Sequence, residues 1–244
     1  MTETVLITGA ARRLGKLIAE HLAANGCFVW IHYYTHESDA VLLRDQIVNS
    51  GGCADCVRAD LTDTEEIDLM LEKIRQTDHG KLTTLINNAS TFLPGKLGDT
   101  SPAQWDGVMD TNLKAVWYLS VRFAESFASA RRIISIGDAN VSQGYAAHAV
   151  YGLSKYALKY LTEQMASAFA PKVRVNLLSP GLVLQGENEP DEIWKQRQKK
   201  TLTDNSEIIP GLLNGITYLM SDPGINGSEL TLDNGLHLHS KSPL

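Results

Sequence analysis

The stretch Thr4-Val-Leu-Ile-Thr-Gly-Ala-Ala-Arg-Arg-Leu-Gly15 joins a short apolar run to a turn that contains glycine. The run at residues 4–8 predicts a buried β-strand, and the pattern of residues 14–25 predicts a helix that ends at Gly26. At such a junction the first turn of the helix offers free backbone N–H groups, and glycine lets a pyrophosphate approach the main chain. The stretch therefore predicts the first βα unit of a dinucleotide-binding fold.

The rest of the chain continues the alternation of strand and helix. Six further short apolar runs, bounded by turn residues, lie at residues 27–33, 53–58, 84–87, 132–136, 174–178 and 229–232. Between them, Thr62-x-x-Glu65 predicts a capping box, and Ser101-Pro102 places a proline at the first position of a helix. This alternation predicts an α/β fold, a doubly wound parallel sheet of about seven strands with helices on both faces. No internal repeat or linker divides the chain, so we expect residues 1–244 to form a single domain.

Composition and charge exclude several classes of function. The chain is 43% hydrophobic and 20% charged, with a net charge of -6 and a pI near 5.6. Nucleic-acid binding is not expected, because it requires clustered Lys and Arg. The N-terminal Met1-Thr-Glu-Thr4 lacks the basic start of a signal peptide, and no long apolar segment follows. We therefore expect a cytoplasmic protein without a membrane partner.

A metal site is not expected from the cysteines and histidines. Cys53-Ala-Asp-Cys56 has Cys-x-x-Cys spacing, but it lies in a predicted strand, and Cys27 cannot complete a set of four ligands. The seven histidines are scattered and none shows His-Glu-x-x-His spacing.

Three residues indicate proton-transfer chemistry. Tyr151 and Lys155 are four residues apart, which places them on one face of a helix. We expect the ammonium group to lower the pKa of the phenol toward neutrality and make Tyr151 a general acid. Asp138 lies thirteen residues before Tyr151, near the end of a predicted strand.

The end of the second predicted strand favours NADP(H) over NAD(H). It reads His32-Tyr-Tyr34-Thr35-His36, without a carboxylate before Glu37. A carboxylate at this place binds the ribose hydroxyls of NAD and would repel a 2′-phosphate, whereas hydroxyl and imidazole donors would not.

Residues 185–205 interrupt the regular pattern. They are polar and acidic at their start, and they follow the sixth predicted strand. Two interpretations remain open: a solvated surface helix, or a lid over the carboxyl edge of the sheet, where open α/β folds bind ligands.

Six motifs in order resemble the short-chain dehydrogenase/reductase family across nearly the whole chain. They are the turn at residues 8–15, Asp60-Leu61, Asn87-Asn88-Ala89, Asn112, Tyr151-x-x-x-Lys155 and Pro180-Gly181. The resemblance implies one Rossmann-type domain with strand order 3-2-1-4-5-6-7. It also implies a homotetramer built from the two large helices before and after the active-site strand and from the C-terminal strand.

The resemblance further implies site residues. Lys155 would bind the nicotinamide ribose and tune Tyr151, and Asn112 would hold a water in the proton relay. The implied cofactor-binding residues are Gly9, Arg12, Arg13, Leu14, Gly15, Tyr34, Thr35, His36, Asp60, Leu61, Asn88, Ala89, Ser90, Tyr151, Lys155, Pro180, Gly181 and Leu182. Taken alone, Asn112 would equally suit a helix kink.

Two departures from the general family pattern resemble one subgroup, the pteridine and dihydromonapterin reductases. Arg13 replaces the middle glycine of the turn, and Asp138 replaces the usual catalytic serine. Asn88-Ala-Ser90-Thr-Phe92 and the ending Leu232-Asp-Asn-Gly235 are similar to that subgroup as well.

The subgroup resemblance implies NADPH-dependent reduction of a 7,8-dihydropteridine to its tetrahydro form. Phe92 would stack on the pterin, Arg13 would bind its polar edge and a cofactor phosphate, and Ser90 would contact both ligands. Asp138 would protonate a ring nitrogen through a water, with Tyr151 and Lys155 completing the relay. Dihydromonapterin and dihydrobiopterin are the preferred substrates, because an acidic lid would disfavour the polyglutamate tail of dihydrofolate, the third candidate.

Other interpretations remain open for these residues and for the function. Phe92 alone would more often be a core or lid aromatic, Arg13 a surface arginine and Asp138 a turn cap. A generic short-chain carbonyl reductase is the first alternative function, and a non-catalytic NADP(H)-binding sensor is the second.

Overall fold

A seven-stranded parallel sheet forms the centre of the protein in the computed structural model, which describes residues 3–79, 81–141 and 145–239. The strands are β1 Thr4–Ile7, β2 Phe28–Tyr33, β3 Cys53–Arg58, β4 Thr84–Asn87, β5 Arg132–Ile136, β6 Arg174–Pro180 and β7 Glu229–Leu232. Their order is β3-β2-β1-β4-β5-β6-β7, and each neighbouring pair is parallel. The predicted fold class and strand order are confirmed.

Helices cover both faces of the sheet. They are α1 Arg13–Ala24, α2 Glu37–Asn49, α3 Thr64–Arg75, α4 Pro102–Met109, α5 Ala115–Ser126, α6 Ala149–Ala168, α7 Asp191–Gln198, α8 Ile208–Ser221 and α9 Leu236–His239. Alternate residues of a strand point to opposite faces, so Leu6 packs with α3, α5 and α6, whereas Val5 and Ile7 pack with α1, α2 and α8. In the part of the chain described, no helix is long and apolar enough to cross a membrane.

Several predicted element ends differ from the structure, and the clearest cases are the start of α3 and the end of β6. Asp63, not Thr62, caps α3, and its side chain accepts from the N–H groups of Glu65 and Glu66. Thr62 is unavailable because its hydroxyl and its N–H both donate to Asp60 Oδ1, at 2.7 and 2.9 Å. The sixth strand runs two residues further than predicted, to Pro180, because it continues to pair with β7. The predicted cap at Ser101 is confirmed as a capping box with Gln104.

The sheet topology places the candidate site. β1 lies between β2 and β4. The strands that follow β1 are therefore added first on one side of it, as β2 and β3, and then on the other side, beginning with β4. In open α/β sheets this reversal opens a crevice at the carboxyl ends of the strands.

Candidate active site

One cavity of about 820 Å³ lies at the carboxyl ends of the strands. The predicted site residues that line it are Gly9, Arg12, Arg13, Leu14, Gly15, Tyr34, Thr35, His36, Asp60, Leu61, Asn88, Ala89, Ser90, Phe92, Asp138, Tyr151, Lys155, Pro180, Gly181 and Leu182. Asn112 is the predicted residue outside this lining. The individual roles of these residues remain predictions, but the structure brings nearly all of them to one place.

The first turn of α1 faces this cavity with free donors. Its N-cap, Arg12, makes no side-chain cap hydrogen bond, and the turn carries no acidic residue. A Cβ on Gly15 would lie 2.4 Å from Gly9 O and 2.7 Å from Asn88 Nδ2, so the turn is too tight for a side chain there. Backbone N–H groups and the helix dipole therefore suit an anionic group at this end.

His32 supports this turn from beneath, a role that the sequence did not predict. The imidazole is buried; its Nδ1 accepts from Gly9 N at 3.1 Å, and its Nε2 lies 3.1 Å from Ala59 O. Since Gly9 N–H can only donate, the proton of the neutral ring is on Nε2. Burial lowers the pKa of His32 to about 4, so the ring stays neutral near pH 7.

Two adjacent arginines flank the turn. Arg13 has a positive φ of 53° and donates from Nη2 to Gln185 O at 2.9 Å. Arg12 Nη2 binds the Glu187 carboxylate, and Arg12 Nε lies 3.8 Å from Asp39 Oδ2. Asp39 is in α2, just after β2. Through this contact Arg12 brings a guanidinium group to the end of β2, where the strand itself has no arginine.

The far end of the cavity presents a flat aromatic surface. The Tyr34 side chain is 48% exposed, and the Arg58 guanidinium lies 5.3 Å from its ring centroid. Asp60, one of the predicted cofactor-binding residues, lines the same cavity and accepts from the Thr62 hydroxyl. Arg58 was not predicted, because its approach to Tyr34 depends on the pairing of β2 with β3.

Asp138 and Tyr151 meet directly in the cavity wall. Asp138 follows β5, and Tyr151 lies in the first turn of α6. The Tyr151 hydroxyl donates to Asp138 Oδ2 at 2.9 Å. A second phenol, that of Tyr145, donates to the same carboxylate at 2.9 Å from Oδ1 and 2.8 Å from Oδ2. The sequence analysis placed Asp138 and Tyr151 in one proton route, but it predicted neither their direct hydrogen bond nor the contact with Tyr145.

The expected effect of Lys155 on Tyr151 is not found. Lys155 is one helical turn away as predicted, but its Nζ lies 5.9 Å from the Tyr151 ring centroid and donates to Ile136 O at 2.8 Å. Burial and the charge of Asp138 raise the pKa of Tyr151. Burial also lowers the pKa of Lys155 to about 8. Burial first, and then the Asp138 carboxylate, favour the protonated phenol, so the predicted lowering of the Tyr151 pKa is wrong for this structure.

Asn112 stabilises the loop after β4 instead of reaching the cavity. It lies in a π-helical turn, Asp110–Lys114, between α4 and α5. Its Oδ1 accepts from Ser90 Oγ and Thr91 N, and its Nδ2 donates to Thr91 O and Ser154 Oγ. Both amide hydrogens are used within the protein, so the side chain has no donor left for a relay water. The alternative, that Asn112 marks a helix irregularity, matches this geometry.

Phe92 forms an exposed wall of the cavity. Its ring is 54% exposed, so the interpretation as a core aromatic is wrong. It stacks on His148 at a centroid distance of 4.0 Å and meets Tyr151 edge-on at 4.6 Å. An exposed aromatic surface therefore lies within contact distance of the Tyr151 phenol.

Residues 185–205 lie beside the turn of α1. Within them α7 has no buried residue, but the preceding loop contacts the two arginines through Gln185 and Glu187. Arg197 from α7 binds Glu189 at 2.7 Å and lines the cavity. The segment combines a solvated helix with a loop that touches the site, and its action as a lid stays a prediction.

The cysteines lie away from this cavity. Cys53 and Cys56 are in β3 as predicted, and Cys56 Sγ donates to Ala40 O at 3.2 Å. Burial raises the pKa of the Cys56 thiol to about 11, which leaves it protonated near neutral pH. Within residues 3–79, 81–141 and 145–239, no group of three or more His, Cys, Asp or Glu side chains is placed to hold a metal ion.

Comparisons with known proteins agree with this geometry. The model of the short chain dehydrogenase family matches residues 3–195. The dihydromonapterin reductase of Shigella flexneri serotype 5b (strain 8401) is 28% identical over 238 residues, 96% of each chain. FolM alternative dihydrofolate reductase 1 from Brucella canis, solved in complex with NADP, is 31% identical, with a TM-score of 0.90 over 97% of this chain and 94% of that one. A dehydrogenase/reductase from Sinorhizobium meliloti 1021 is 27% identical, with a TM-score of 0.86 over 97% and 96%. The chain belongs to the short-chain dehydrogenase/reductase family.

Proposed function

We propose that the protein reduces a 7,8-dihydropteridine to its tetrahydro form with NADPH. The observation that carries this proposal is the hydrogen bond between Tyr151 and Asp138, 2.9 Å long, beside the exposed ring of Phe92. Asp138 stands where the general family pattern has a neutral serine hydroxyl, and a carboxylate bonded to Tyr151 can return protons from solvent to it, which suits the protonation of a ring nitrogen. The similarity to proteins named dihydromonapterin reductase and alternative dihydrofolate reductase supports the same substrate class.

The residues around the turn fit a dinucleotide phosphate. The uncapped N-terminus of α1 and the guanidinium groups of Arg12 and Arg13 offer donors and positive charge. Arg12 and His36 both lie near Asp39, at the end of the cavity where a 2′-phosphate would need cations. When bound, NADPH supplies the hydride that the substrate ring takes up. The NADP complexes of the Brucella relatives support this choice of cofactor.

The proposed substrate contacts follow from the cavity wall. Phe92 presents its ring to a flat heterocycle, and offset stacking contributes about 0.5–1.5 kcal/mol beyond burial. Arg13 and Ser90 lie on the same cavity and can donate to the polar edge of a pterin. Asp138 and Tyr151 then pass a proton from solvent to N5 of the pterin. The pterin ring would thus lie between the Phe92 ring and the proton source.

The loop before α7 is proposed to act as the lid. Glu187 binds the guanidinium of Arg12 and lies 3.9 Å from that of Arg13, both on the candidate phosphate turn. An arriving phosphate would compete with this carboxylate, because both are anions that bind the same donors. Occupation of the turn would therefore release Glu187, so the position of residues 185–205 is coupled to cofactor binding.

A homotetramer is proposed from the exposed face of α6. Leu153, Tyr156 and Tyr160 recur at positions i, i+3 and i+7 and are 44%, 60% and 64% exposed. Trp117 on α5, the other large helix next to β5, is 48% exposed. Large apolar side chains arranged on one helix face are typical of a subunit contact.

A substrate panel tests the proposed function. NADPH oxidation is followed with 7,8-dihydromonapterin, 7,8-dihydrobiopterin and dihydrofolate, and in parallel with ketones and acyl thioesters. We expect turnover with the dihydropteridines and a lower kcat/KM with dihydrofolate. Faster turnover of ketones would favour the carbonyl reductase, and tight NADPH binding without any turnover would favour the sensor. A clear preference for NADH in the same assay would refute the choice of cofactor.

A further inference from the structure

We infer that Tyr145 is a positioning residue for the proton route, a role that rests on the function proposed above. Tyr145 is not among the residues that line the cavity, but its hydroxyl donates to Asp138, which does line it. Its influence on a substrate must therefore pass through the Asp138 carboxylate.

Three groups of the described residues donate to the carboxylate of Asp138. Asn140 N donates to Oδ1 at 2.8 Å, and the Tyr151 hydroxyl donates to Oδ2 at 2.9 Å. The Tyr145 hydroxyl lies between the two oxygens, 2.9 Å from Oδ1 and 2.8 Å from Oδ2. One phenolic hydrogen cannot bond strongly to both oxygens at once, so Tyr145 can shift its bond from one to the other without moving.

Tyr145 stays a hydrogen-bond donor at the pH where the enzyme works. Burial, and then the charge of Asp138, raise the pKa of Tyr145. The phenol therefore keeps its proton and presents it to the carboxylate, and it does not itself transfer the proton to a substrate. This separates its role from that of Tyr151, which lines the cavity.

The local structure keeps the Tyr145 ring in place. Its carbonyl accepts from His148 N at 3.0 Å, and its ring meets the Tyr151 ring edge-on at 5.5 Å. A Cβ on Gly152 would lie only 3.1 Å from Tyr145 Cβ. Glycine in the first turn of α6 thus leaves the space that the tyrosine occupies, so the phenol reaches Asp138 from a fixed position.

The consequence concerns the moment when Tyr151 turns toward a substrate. In this structure the Tyr151 proton points to Asp138, so it must leave the carboxylate before it can reach a ring nitrogen. Tyr145 then shifts to Oδ2 and replaces the lost donor. The ring nitrogen gains the Tyr151 proton, Tyr151 recovers one from solvent through Asp138, and the adjacent ring carbon takes the hydride that the nicotinamide cofactor supplies.

The test is Tyr145→Phe, which keeps the ring and removes only the hydroxyl. We expect kcat to fall by about 10- to 100-fold, the range for one hydrogen bond to a charged group. The KM for the dihydropteridine and the Kd for NADPH should stay within about twofold, and the solvent deuterium isotope effect on kcat should increase, because proton delivery becomes slower. Tyr218→Phe, on the 49% exposed Tyr218 of α8, is the matched control and should change neither.

Several outcomes would overturn the role of Tyr145. An unchanged kcat and isotope effect would show that Asp138 does not need the second phenol. A fall in kcat together with weaker NADPH binding or a lower melting temperature would indicate a merely structural contact. Wild-type protein that reduces no dihydropteridine would instead refute the proposed function. In that case wild type and Tyr145→Phe would be compared with a substrate of the panel that the wild type does reduce. An unchanged kcat with that substrate would still overturn the role of Tyr145.

Discussion

Mild acid is expected to destabilise the protein through His32. The neutral imidazole satisfies both of its neighbours, since Nδ1 accepts from Gly9 N and Nε2 donates to Ala59 O. Protonation would place a second donor against the Gly9 N–H and a charge in a fully buried position. For this reason the pKa of His32 falls from 6.5 to about 4 in the folded protein.

The size of the effect follows from this pKa difference. The unfolded chain binds the His32 proton as the pH falls through 6.5, whereas the folded protein resists until about pH 4. The stabilising contribution is therefore complete above pH 6.5 and is lost progressively below it. Between pH 7 and pH 5 the loss in free energy of unfolding is about 2 kcal/mol. For a chain of this length, that loss lowers the melting temperature by roughly 4 °C.

Equilibrium urea unfolding without cofactor, at one protein concentration, measures this loss at pH 7 and pH 5. Because other groups titrate as well, the informative quantity is the difference between wild type and His32→Gln. We expect the variant to be less stable at pH 7 but to lose about 2 kcal/mol less on acidification. His36→Gln, at a histidine whose side chain is 54% exposed, should behave like wild type. Equal losses in wild type and His32→Gln would refute the reasoning.

Three further predictions concern the site, and a fourth concerns the proposed subunit contact. Asp138→Asn and Tyr151→Phe should each lower kcat for a dihydropteridine by about 10²- to 10⁴-fold, with the Kd for NADPH, measured by fluorescence titration, nearly unchanged; near-normal turnover would contradict the proton route. Arg13→Gly should raise the KM for a dihydropteridine far more than that for a simple ketone, and equal changes would assign Arg13 to the scaffold. Glu187→Gln should tighten NADPH binding at low salt by about two- to fivefold, because a competing carboxylate is removed; weaker binding would argue against competition. Tyr156→Glu should shift the assembly to smaller species in light scattering after gel filtration, unless α6 lies outside the subunit contact.

Strand positions could be predicted because buried parallel strands are continuous apolar runs. The sixth strand shows the limit of this rule. Its last residues, Ser179 and Pro180, end the apolar run, yet they pair with Thr231 and Leu232, and Ser179 Oγ donates to Glu229 at 2.6 Å. A strand end that depends on a neighbouring strand far along the chain leaves no local signal.

In the candidate site, too, contacts with a local sequence signal could be predicted and contacts without one could not. Asp138 and Tyr151 could be placed together because one follows a strand and the other begins the next helix, so both reach the same sheet edge. Tyr145 lies before α6, outside every predicted strand and helix and without a motif, so the sequence carries no signal for its contact with Asp138. The direction of the pKa shift of Tyr151 could not be predicted from its spacing to Lys155, because the shift depends on burial and on the distance to the Asp138 carboxylate.

Arg13 has a consequence for anyone who selects improved variants of this protein. Its φ of 53° is a backbone conformation that glycine adopts freely and that costs other residues about 1 kcal/mol or more. Glycine at this position should therefore raise thermal stability, and a screen that rewards heat resistance alone would favour it. The same replacement would remove a guanidinium from the cavity. Selection for thermal stability would therefore favour glycine at residue 13, whereas selection for turnover would favour arginine. A screen for stable variants should also measure activity.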